Sequence, residues 1–102
     1  MASSREYLFF VLERLSDVPN LTFRPMMGEY LLYADGVCFG GVYDNRFLCK
    51  DTPKGRAILP SAPKEAPYPG AKPMLLVESE DRALVAALVR STVAALPKQK
   101  KR

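Results

Sequence analysis

The chain has 102 residues, 48% hydrophobic and 25% charged, which is ordinary globular usage and enough for one packed core but not two. No apolar run approaches the roughly 18 residues that span a bilayer and the N-terminus lacks a signal-peptide layout, so the sequence reads as cytoplasmic, with no membrane partner. The formal charge of +4 sits at one end: Lys98, Lys100, Lys101 and Arg102 close the chain, and with those four set aside the 15 basic residues fall to 11, equal to the 11 acidic ones.

Ser3-Ser4-Arg5-Glu6 fits a capping box with Ser3 as N-cap. Tyr7, Leu8, Val11, Leu12 and Leu15 then recur at helical spacing, which predicts an N-terminal helix ending near Ser16-Asp17, ahead of Pro19. From Leu21 the pattern turns extended. Thr22 to Met26 predicts a short strand, with Pro25 at an edge or strand end because it cannot donate to a ladder. Met27-Gly28-Glu29 reads as a turn or bulge with Gly28 at positive φ. Strands follow at Tyr30–Ala34, Val37–Tyr43 and Arg46–Lys50, separated by tight turns at Asp35-Gly36 and Asp44-Asn45. Thr22 to Lys50 is thus an antiparallel meander. Thr52 and Pro53 open a short helix. Pro60, Pro63, Pro67 and Pro69 then rule out long regular structure. Lys72 to Val77 predicts the last strand. Ser79 is the expected cap of a final helix carrying Glu80 and Asp81 in its first turn and an apolar stripe of Leu84, Val85, Leu88, Val89, Thr92 and Leu96. The expected fold class is α+β. A single domain over residues 1–97 holds an antiparallel sheet flanked by an N-terminal and a C-terminal helix, and a basic, disordered tail follows at residues 98–102.

Two-residue turns fix the register, and the register fixes the faces. One face is expected to carry Leu31, Tyr33, Cys38, Gly40, Val42, Phe47 and Cys49; the other carries Tyr30, Leu32, Phe39, Gly41 and Leu48. Both are apolar, so both need a cover. The face with Tyr30, Leu32, Phe39 and Leu48 is expected to bury itself against a second copy in a two-fold dimer, or under Ile58, Leu59 and Tyr68 of the later loop.

Groups with catalytic chemistry are sparse. There is no histidine, the usual general base near neutral pH. Cys38 and Cys49 are too few for a structural zinc site, and diagonal placement keeps them from forming a disulfide. They read as small hydrophobes. Asp35 and Asp44 are turn formers, and Gly40-Gly41 lacks the strand-to-helix context of a phosphate loop, marking instead a close approach or a bulge. The chain is therefore read as non-enzymatic, with no catalytic residues, metal or cofactor. An enzyme would need a pocket around Cys49, Arg24 or Arg46. The aromatic set Tyr7, Tyr30, Tyr33, Phe39, Tyr43 and Phe47 reads as core, and a weak nucleic-acid contact through Lys98, Lys100, Lys101 and Arg102, aided by sheet aromatics, is the alternative function.

The segment Arg24-Pro25-Met26-Met27-Gly28-Glu29-Tyr30-Leu31-Leu32-Tyr33-Ala34-Asp35-Gly36 resembles the signature of the TfoX N-terminal domain family: an Arg, a Met-Phe-Gly-Gly, an aromatic-rich strand and an Asp-Gly turn. Arg24, Met27 (or Met26), Gly28, Tyr30, Tyr33, Asp35 and Gly36 are the matching positions and the candidate interaction residues. Phe39-Gly40-Gly41-Val42 to Phe47-Leu48-Cys49-Lys50 is similar to the family's second hairpin, and Lys72-Pro73-Met74 to its "KKPM" strand. Met27 stands where Phe is common, and Glu29 where a second Gly is. The family takes its name from regulators of bacterial competence genes. The resemblance therefore implies a small regulatory or adaptor domain that works through an unidentified protein partner or as a homodimer, with a role in transcriptional control.

Overall fold

The computed structural model describes residues 3–96, so the tail residues Lys98, Lys100, Lys101 and Arg102 lie outside the described residues. A helix α1 (Arg5–Arg14) leads into the strands β1 (Leu21–Met26), β2 (Glu29–Ala34), β3 (Val37–Val42) and β4 (Phe47–Cys49). A short helix α2 (Pro53–Ile58), strands β5 (Lys64–Glu65) and β6 (Met74–Leu76), and the long helix α3 (Arg82–Ala95) complete the fold. The strands form one antiparallel six-stranded sheet in the order β1-β2-β3-β4-β6-β5, so the class is α+β, as the sequence predicts.

The meander is built by tight turns whose two central residues both take positive φ, the hand that matches strand twist. Met27 and Gly28 have φ of 52° and 85°, Asp35 and Gly36 of 52° and 78°, Asp44 and Asn45 of 54° and 56°. Gly28 thus holds the conformation expected of it. Asp35, Asp44 and Asn45 are residue types that tolerate it because their short side chains bond locally.

The faces differ from the sequence reading at one residue. Ala34 faces Val37 and Tyr33 faces Cys38, as a two-residue turn requires, but Leu32 faces Gly40. Phe39 is an extra residue on β3, a bulge that shifts every later pair by one. Tyr30 and Leu32 therefore share the face of Val42, Phe47 and Cys49, while Leu31 and Tyr33 join Cys38, Gly41 and Leu48 on the other. The expected association of Leu31 and Tyr33 with Val42 is overturned, and so is the placing of both cysteines on one face.

The inner face packs on the helices. Leu8, Val11 and Leu15 of the α1 segment and Val85, Leu88 and Val89 of α3 bury Leu32, Phe39, Val42, Phe47 and Cys49, with Ile58 and Leu59 at the margin. The outer face carries a smaller cluster of Tyr43, Leu48, Met74 and Leu76, flanked by Leu31. Leu32, Phe39 and Leu48 are fully buried within the single chain, so the patch expected to seek a second subunit is not exposed.

Two caps move as well. Ser4, not Ser3, caps α1, accepting from the Tyr7 amide, because Ser3 is engaged elsewhere. Asp81, not Ser79, caps α3, accepting from the Leu84 amide; Ser79 accepts from the Asp81 amide one turn earlier. Thr52 caps α2 with Pro53 at its first position, as predicted.

Candidate functional site

The two edges of the sheet are unequal. β5 is only two residues long, whereas β1 is six, and all but its first residue are exposed. In a two-residue hairpin the residues flanking the turn form a hydrogen-bonded pair, and such pairs then alternate along the ladder. Met26–Glu29, Arg24–Leu31 and Thr22–Tyr33 are therefore the bonded pairs, and the Asp35 N–H donating to the Asn20 carbonyl at 3.2 Å continues the series. The backbone groups of Leu21, Phe23 and Pro25 point away from β2. Pro25 lies at an edge, as predicted, in a slot where its missing N–H costs the ladder nothing. Leu21 and Phe23 keep outward donors and acceptors. Exposed apolar side chains line this corner: Phe23, edge-on to Tyr30 at 6.0 Å, with Met26 and Met27, the last 96% exposed.

A polar junction holds the same corner in place. The Ser3 hydroxyl donates to Glu29 Oε1 at 2.6 Å and accepts from the Asn45 amide at 3.0 Å. Ser3 N–H donates to the Gly28 carbonyl, Ser4 N–H to Asn45 Oδ1, and the Asp44 amide to Glu29 Oε1. Glu29 thus ties the start of α1 to both the β1–β2 and β3–β4 turns. Beyond the Asp44-Asn45 turn, Arg46 fans over the Pro-rich strap between β5 and β6 (residues 66–73), donating to the Glu65 carboxylate at 2.7 Å and to the carbonyls of Tyr43, Ala66 and Pro67.

These features place the sequence candidates. Met27, Gly28 and Arg24 lie at or near the β1–β2 turn, with Arg24 exposed on the outer face. Tyr30 and Tyr33 are half-buried on opposite faces, and Asp35-Gly36 form the turn at the far end of β2. The structure therefore does not gather them into one site; they trace a hairpin, and Gly28, Asp35 and Gly36 serve its backbone. The Ser3–Glu29–Asn45 junction and the Arg46 clamp went unread in the sequence. Their residues are up to 42 positions apart, and only the hairpin register brings them together.

Charge and burial set the remaining chemistry. Burial pushes the Cys49 thiol up to about 11, against the opposing pull of the Thr92 hydroxyl and Lys50. Burial, then Cys38 and Tyr68, push the Tyr43 phenol up to about 12. Burial works against ionisation of Asp51, yet Arg56 at 2.6 Å and Lys64 at 3.3 Å hold its carboxyl below the usual range. Cys49 is thus a neutral, inert core thiol, as read from the sequence.

A family model described as the TfoX N-terminal domain matches residues 13–96. The chain is also similar to an uncharacterized 12.7 kDa protein from the trpE 5′ region of Spirochaeta aurantia, at 36% identity over 104 residues that cover 100% of this chain and 90% of that protein. No helix among the described residues is long and apolar enough to cross a membrane.

Proposed function

We propose that this chain, which belongs to the TfoX N-terminal domain family, is a non-enzymatic regulatory domain that acts by protein contact, and that the contact is a second copy of itself added along β1. The observation that carries the reading is the outward-facing backbone of Leu21 and Phe23 on a long, exposed edge strand. Unpaired edge strands are templates for another strand.

The edge is self-complementary. With Thr22 on a two-fold axis, Leu21 faces the partner's Phe23, and both residues exchange N–H···O bonds in each direction. Pro25 falls outside the paired stretch and stops the ladder from running further. Arg24 faces Asn20 of the partner subunit, so no like charges meet. A contact made by these two residue pairs, through four main-chain hydrogen bonds, is short and suited to a reversible assembly.

Sedimentation equilibrium tests it through Phe23→Pro, which removes one outward donor and leaves the β1–β2 bonds in place. The wild type is expected to show a concentration-dependent mass above 11.4 kDa, and Phe23→Pro a constant 11.4 kDa. Phe23→Lys, which sets a charge beside the pairing, should behave like the proline variant. A wild type that stays at 11.4 kDa into the millimolar range contradicts the reading.

A further inference from the structure

An open cleft of about 540 Å³ lies between β3, the Lys50-Asp51 segment that follows β4, and the Pro-rich strap, with Leu96 also on its wall. Its volume is within the range of small-molecule sites. Its apolar lining includes Tyr43, Tyr68, Pro73 and Met74, with the two tyrosine rings edge-on at 6.5 Å. The strap that forms one wall is pinned by Arg46 through Glu65, Ala66 and Pro67, so the cleft is held open by the fold.

The charge of the cleft is one-sided. Lys50 and Lys72 line it, and neither has an ion-pair partner among the described residues. Its one acidic lining residue, Asp51, is already occupied by Arg56 and Lys64. An apolar, aromatic-walled cleft with unpaired ammonium groups at its rim complements a ligand with a flat apolar body and a negative end. We propose that this cleft binds a small aromatic carboxylate, its ring against Tyr43, Tyr68 and Met74 and its carboxylate at Lys50 and Lys72. The site is independent of the β1 contact.

Cys38 reports on occupancy. Its thiol is half-buried and lines the cleft, whereas Cys49 is buried in the core. Alkylation by iodoacetamide, read by intact mass, should therefore add one label, at Cys38. With 2-naphthoate as the probe, labelling should slow in a saturable way, while the neutral 2-naphthamide should require at least about fivefold more ligand. Lys72→Gln should weaken 2-naphthoate protection by about fivefold and leave 2-naphthamide protection unchanged, the scale of one solvent-exposed ion pair. Backbone amide shifts on 2-naphthoate addition should cluster at Cys38, Tyr43, Lys50, Tyr68 and Lys72, which guards against an effect confined to the thiol. Equal protection by acid and amide, no protection at millimolar 2-naphthoate, or stronger protection by a peptide ending in a free phenylalanine carboxylate would each overturn the proposal.

Discussion

Gly40 lies so close to β4 that a Cβ on it would overlap the Leu48 carbonyl oxygen, with the Cys49 Cα at 2.9 Å. Gly36, at φ +78°, has nothing within 4 Å of the same position. The two glycines therefore separate steric from conformational cost. Gly36→Ala should lose about 1–2 kcal/mol for the left-handed backbone alone. Gly40→Ala, with an ordinary φ, must push β3 from β4 backbone against backbone, and should lose more, about 3 kcal/mol or above. Chemical denaturation of the two variants checks the order. Alkaline titration gives a second test at this scale. Cys49 and Tyr43 have folded values of about 11 and about 12, above their ordinary 9.0 and 10.0. Both groups thus favour the folded state when protonated, and the unfolded chain ionises first. Stability should be full below pH 9 and fall as pH rises, first through the Cys49 window from 9 to 11, then through that of Tyr43 from 10 to 12. The Cys49 part is on the order of 3 kcal/mol. Cys49→Ala, less stable at neutral pH through its cavity, should show a flatter decline between pH 9 and 11 in denaturation midpoints.

At the scale of elements, the helices, the meander and its turns were legible because each carries a local signal. Apolar spacing marks α1 and α3, and Asp35-Gly36 and Asp44-Asn45 mark hairpins. What was illegible depends on partners distant in sequence. The bulge at Phe39 leaves no local mark beyond the Gly40-Gly41 pair, and a single inserted residue exchanges the faces of Leu31 and Leu32. The caps slipped by one or two residues because Ser3 and Ser79 are equally good capping types; Ser3 is drawn instead to Glu29 and Asn45. β5 has two residues and exists only as a partner of β6. The strap that follows β5 is held by a planar fork, which a lysine cannot reproduce. Arg46→Lys should keep the charge yet lose the carbonyl bonds to Ala66 and Pro67. The expected result is faster amide exchange or proteolysis confined to residues 60–73, at a global cost of about 1–2 kcal/mol.

Among the described residues, one inner core is sealed by helices, while the outer face is left half covered and one edge is left open. The basic terminus adds a separate expectation. If Lys98, Lys100, Lys101 and Arg102 each contact a phosphate, binding to duplex DNA should have a log–log salt slope of about −3.6 and disappear on truncation after Leu96. Binding that persists in the truncated chain would move nucleic-acid contact onto the folded body. The candidate site was legible in part. Pro25 narrowed β1 to an edge or a strand end, and the family signature fell on the β1–β2 hairpin, but which backbone groups face outward follows only from the register of the turn at Met27-Gly28.

That register makes the central claim measurable at single amides. Hydrogen exchange followed by NMR at low and high protein concentration reads β1 residue by residue. The Thr22 and Arg24 amides, bonded to β2, should be protected at every concentration. The Leu21 and Phe23 amides should exchange freely in dilute protein and become protected as concentration rises, in step with the sedimentation mass. If Leu21 and Phe23 remain unprotected at millimolar concentration, or if protection rises equally along the whole strand, the contact along β1 does not form.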